Sequence, residues 1–120
     1  MKKLISLSIV FALLLGWSLT SSVIAGETYT LWGKQIAGSG HAKNAKHDGN
    51  KLVLKKTAKI IKVEGTAKRY TIWSKGKALL SGGTKKSIVD EVLPAGTYTV
   101  LAGLDQRQRS AKVTIILTDN

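Results

Sequence analysis

The stretch Leu93-Pro94-Ala95-Gly96-Thr97-Tyr98-Thr99-Val100-Leu101-Ala102 decides the reading of the fold. Pro94 presets φ near −65° and Gly96 frees the backbone, so the first four residues read as a turn. After it, Tyr98, Val100 and Ala102 alternate with Thr97, Thr99 and Leu101. That spacing is period two, the mark of a strand with one face turned to a core.

The same period recurs on both sides of this stretch. Val113, Ile115 and Leu117 alternate with Lys112, Thr114 and Thr118 in a last strand, after a polar connection over 103–109. Upstream, Ser87–Val92 reads as a strand, and Arg69–Ser74 and Lys77–Leu80 form a hairpin about Lys75-Gly76, closed by Gly82-Gly83. Lys59–Glu64, Leu52–Leu54 and Thr28–Trp32 supply three more. The segment 37–50 holds turn formers and no large apolar side chain, so it is expected as a long surface loop. No segment calls for a helix.

Seven to eight short antiparallel strands predict an all-β sandwich or small barrel, and two details favour the sandwich. Trp73 falls mid-strand, where a core tryptophan is expected. Leu93–Tyr98 has the form of a tyrosine corner, a Gly-x-Tyr opening the penultimate strand. On these residues, about half of 26–120, the chain resembles immunoglobulin-like sandwiches of the disulfide-free kind, such as fibronectin type III modules. The resemblance implies a fold and no function.

The N-terminus carries a different signal. Lys2 and Lys3 precede an apolar run from Leu4 to Leu15; Gly16 and Thr20-Ser21-Ser22 follow, then Val23-Ile24-Ala25 before Gly26. This is the three-part pattern of a secretory signal peptide cleaved after residue 25. The run turns polar too soon for a spanning helix and no basic cluster follows, so no transmembrane anchor is expected after processing. Residues 26–120 are then one exported domain, periplasmic or secreted. The chain has no cysteine, so packing alone stabilises it, at about 5–14 kcal/mol for a domain this size. An exported chain without cysteine suggests a bacterial setting, where disulfides are optional.

Charge is lopsided. Residues 26–120 hold 14 Lys and 3 Arg against 7 acids; residues 34–86 carry net +12, and 87–120 carry −1. Lys51, Lys55, Lys56, Lys59, Lys62, Lys68, Arg69, Lys75, Lys77, Lys85 and Lys86 are therefore the candidate polyanion-binding residues. Lysine, a flexible point charge, favours sequence-tolerant attraction over the geometric readout that arginine gives. The expected partner is an anionic polymer or membrane surface outside the cytoplasm: lipopolysaccharide, a wall polymer, an acidic glycan or DNA.

Alternatives are a carbohydrate- or protein-binding module, or an assembly subunit that pairs through sheet edges. Tyr29-Thr30-Leu31-Trp32 and Tyr70-Thr71-Ile72-Trp73 share a form in which positions i and i+3 face opposite ways. One aromatic of each is expected outward, with Tyr29 and Tyr70 as contact candidates. His41, His47 and Asp48 are the nearest approach to a metal-ligand set, though they match no zinc spacing. Ser39, His41 and Asp48 lack the setting of a hydrolytic triad, and Asp90 and Glu91 are adjacent, so no enzyme and no cofactor are expected. Gly82-Gly83-Thr84-Lys85-Lys86-Ser87 lacks Walker spacing and reads as a two-glycine hairpin, with a small anion-binding nest as the alternative.

Overall fold

A computed structural model of the chain describes residues 26–119; the segment read as a signal peptide lies outside the described residues. These residues form nine strands: β1 (Thr28–Gly38), β2 (His41–Gly49), β3 (Leu52–Leu54), β4 (Ala58–Gly65), β5 (Arg69–Ser74), β6 (Lys77–Gly83), β7 (Val92–Leu93), β8 (Gly96–Ala102) and β9 (Ser110–Thr118). They make two antiparallel sheets, one ordered β2-β1-β9-β4-β7 and the other β3-β8-β5-β6. The described residues are all-β, and among them no helix is long and apolar enough to cross a membrane.

Alternation dictates the core. In β9, Ala111, Val113, Ile115 and Leu117 are buried, while the residues between them are exposed or half-buried. From the facing sheet, Tyr70, Ile72, Tyr98, Val100 and Ala102 meet them. Cross-strand pairs place Tyr70 beside Ala102 and Ile72 beside Val100, so each inward row is continuous across the sheet. The Tyr98 hydroxyl donates to the Pro94 carbonyl four residues upstream, fixing the turn that opens β8.

Two segments depart from the sequence expectation. The stretch 37–50 is largely a hairpin, not a loop: β1 runs on to Gly38, and β2 returns with Gly33, Lys34, Gln35 and Ile36 paired to Gly49, Asp48, His47 and Lys46. β2 buries no residue, because an edge strand is held by its backbone ladder and needs no apolar face. Its Lys43 and Lys46 carry charge along that edge, which discourages further strand addition.

The other is Ser87–Val92, where only Val92 lies in a strand. Asp90 takes φ 77°, which ends any extended run, and Ile88 drops fully buried into the core. Backbone bonds from Asp90 N to Ile60 O and from Ile60 N to Glu91 O dock this turn on β4.

Trp73 is also displaced from its expected place. It lies half-buried on the outer face of the second sheet, and Tyr70 and Tyr98 are the aromatics of the core. Tyr70 shares a face with Ile72, and Trp73 shares one with Arg69 and Thr71. Putting Trp73 inside would bury the guanidinium and expose the isoleucine.

Candidate functional site

The β5–β6 hairpin sets the first site. Arg69 pairs with Gly83, so Lys68 before β5 and Lys85-Lys86 after β6 meet at one end of the sheet. Lys68, Arg69, Lys85, Lys86 and Asp105 line one hollow of about 520 Å³. Asp105 is its only acid, 3.5 Å from the Lys68 ammonium across exposed side chains. Arg69 Nη2 donates to the Leu104 carbonyl at 3.0 Å, which anchors the 103–109 connection against the hollow. Lys85 and Lys86 have no acidic partner among the described residues. In high dielectric each such pair of charges is worth about 1 kcal/mol at 4 Å, so the hollow attracts through number more than through any single contact.

The backbone of this loop does not form the anion nest its glycines suggested. Gly83 N donates to Lys86 O at 2.9 Å, Lys86 N to Gly83 O at 3.2 Å, and Thr84 N to Lys68 O at 3.1 Å. Those amides are spent within the protein. The site is a side-chain site.

The remaining basic candidates are placed elsewhere. Lys59 and Lys62 leave the outer face of the first sheet, opposite Thr118 and Ile116, and Lys62 is 3.6 Å from Glu64. Lys55 and Lys56 occupy the turn after β3, and Lys77 opens β6. Lys51 and Lys75 flank Trp73 in a second hollow. The eleven residues thus form one group of four, one pair and a scattered remainder.

Both tyrosine contact candidates turn inward. Tyr70 is 6% exposed, held there by the inward row it shares with Ile72. Tyr29 stands opposite Leu117, packs against the core, and donates from its hydroxyl to Asp119 Oδ2 at 2.6 Å. Trp32 and Trp73 take the outer positions instead, with the Lys112 ammonium 5.6 Å above the Trp32 ring.

The Tyr29–Asp119 clamp has a pH signature. Asp119 Oδ1 also accepts the Glu27 amide at 2.7 Å, tying the start of β1 to the end of β9. The hydrogen bond to Asp119, aided by partial burial, pushes Tyr29 up to about 12. The bond from Tyr29 lowers Asp119, with the Glu27 amide and the Lys56 charge assisting. A raised tyrosine stabilises fully below its ordinary pKa of about 10 and loses that contribution as pH climbs through 12. A lowered carboxyl contributes above its ordinary value and loses it as pH falls through its folded value. Protection of the Glu27 amide from hydrogen exchange should therefore hold from about pH 5 to 9 and weaken on either side. In Tyr29→Phe the alkaline loss should vanish while the acid loss persists through the Glu27 amide bond.

The metal candidates do not converge. His41 and His47 lie on either side of the register irregularity in β2, His41 opposite Gly38 and His47 opposite Gln35. His41 Nε2 lies 3.0 Å from the Gln108 carbonyl, and Asp48 Oδ1 accepts the Gly49 amide at 2.9 Å. Among the described residues no three side chains of ligand type come together. Ser39 Oγ, in turn, is bonded by Asn44 Nδ2.

The residue that sequence reasoning placed in the core and not at a site is Trp73. Its Nε1 is buried without a hydrogen-bond partner, a state that costs about 1–3 kcal/mol and is rare for an indole. Its signal was present in the alternation Arg69-Thr71-Trp73, which puts a charge, a hydroxyl and an indole on one face. Comparison of the chain with protein-family models, curated proteins and solved structures finds no match.

Proposed function

We propose that this is an exported, non-catalytic binding protein that holds an anionic envelope or extracellular polymer at the Lys68-Arg69-Lys85-Lys86 hollow. One observation carries the reading: four cations line a single cavity whose only acid is already engaged with one of them. The predominance of lysine supports charge attraction without precise readout. The signal-peptide pattern of residues 1–25 supports export, which confines the polymer to those outside the cytoplasm. The two sheets are read as an immunoglobulin-like sandwich of the fibronectin type III kind, supported by the Tyr98–Pro94 bond at the corner opening β8.

The test is retention on immobilised heparin at low ionic strength. The protein should bind and elute with salt, and Lys85→Glu/Lys86→Glu should elute far earlier. Passage without retention would end the proposal.

A further inference from the structure

Arg69, Thr71 and Trp73 leave the outer face of the second sheet at alternate positions of β5. Arg69 stands in the basic hollow, and Trp73 lies four residues further on, about 13 Å along the strand. At that point two more hollows, of about 530 and 440 Å³, share Trp73, Lys51 and Thr99. Leu101, 39% exposed and paired with Thr71, gives the stretch between an apolar surface. His47 and Asp48 form the far wall, where β2 passes the part of β8 that β3 leaves unpaired.

We propose that Trp73 is a sugar-stacking platform and that the polymer bound by this protein is an anionic polysaccharide lying along β5. The proposal rests on the polyanion reading above and names the polymer's class. The parts match a charged sugar chain. An indole beside Leu101 receives the C–H face of a pyranose ring, and hydroxyls at Thr97 and Thr99 with the Asp48 carboxylate serve sugar hydroxyls. Lys51 and Lys75 take carboxylate or sulfate groups at the tryptophan end. The four-cation hollow takes those further along the chain.

A single-stranded nucleic acid fits less well. A base-stacking groove uses successive aromatics, where this face offers one indole. The unpartnered Nε1 marks the same residue independently. The fold tolerates an unsatisfied donor under this groove wall and nowhere else among the described side chains.

The experiment titrates the full chain with oligogalacturonate, with a neutral glucose oligomer and with oligo(dT), reading tryptophan fluorescence and calorimetry in parallel. Oligogalacturonate should bind and shift the emission. Trp73→Phe should remove the emission change, and Trp73→Ala should weaken uronate binding about tenfold or more. Oligo(dT) affinity should move by less than about twofold. Thermal melts of both variants establish that they fold, and Leu101→Ser, a neutral change at an exposed position, should weaken uronate binding in the same sense. Uronate affinity unchanged in Trp73→Ala and Leu101→Ser would overturn the proposal, as would equal losses for uronate and oligo(dT). No binding of either polyanion by the unaltered chain would overturn the polyanion reading itself, and this inference with it.

Discussion

Gly33→Val should leave no stably folded protein. A Cβ at Gly33 would lie 2.2 Å from the Val100 carbonyl oxygen, far inside van der Waals contact. The obstacle is backbone, so no rotamer change relieves it. Gly33 lies between Gly49 on β2 and Val113 on β9, while Val100 is paired to Ile72 in the other sheet. Moving either strand away therefore breaks a ladder on one side or opens the core on the other. Overpacking with side-chain relief costs about 1–3 kcal/mol; without it the cost should exceed about 4 kcal/mol and reach the roughly 5 kcal/mol at the low end of stability for a domain this size. The expected readout is a collapsed near-ultraviolet dichroism signal and loss of the cooperative melt. A melting midpoint within a few degrees of the parent would show that β1 and β8 do not approach as closely as described.

Reversing Lys68, Lys85 and Lys86 together to Glu should cut affinity for a polyanion by about 100-fold or more at 50 mM salt. Each change removes one attraction and adds one repulsion, at about 1 kcal/mol apiece in high dielectric. Even with screening, the six terms exceed the roughly 2.8 kcal/mol that 100-fold requires. Stability should change little, because all three side chains are exposed. Lys59→Glu/Lys62→Glu is the control: the same kind of reversal on the outer face of the other sheet should cost less than about tenfold. A triple variant that binds within about threefold of the parent would place the binding surface elsewhere.

How far the sequence reaches depends on what each element buries. β5, β8 and β9 each bury alternate side chains, so their periodicity was readable. β2 buries none, and a strand held by its backbone ladder alone leaves no hydrophobic period to read. Ser87–Val92 misleads for the opposite reason: its β-branched residues read as a strand, but Ile88 is used as a plug and Asp90 as a left-handed turn.

The site divides in the same way. The basic bias was plain in composition, and the Lys75-Gly76 turn already implied that Lys68-Arg69 and Lys85-Lys86 would meet. What was not plain was the separation of Lys59 and Lys62 from them, since that depends on β4 and β5 entering different sheets. The orientation of Trp73 could have been read from its neighbours. Ile72 must be inside and Arg69 outside, and that choice fixes Tyr70 inward and Trp73 outward.

The central claim is that a cluster of side-chain cations binds a polyanion. Its most direct test is the slope of log K against log salt concentration for the unaltered chain on duplex DNA, between about 50 and 200 mM. Four cations neutralising four phosphates at about 0.9 counterions each predict a slope near −3.6. A slope flatter than about −1 would contradict the account.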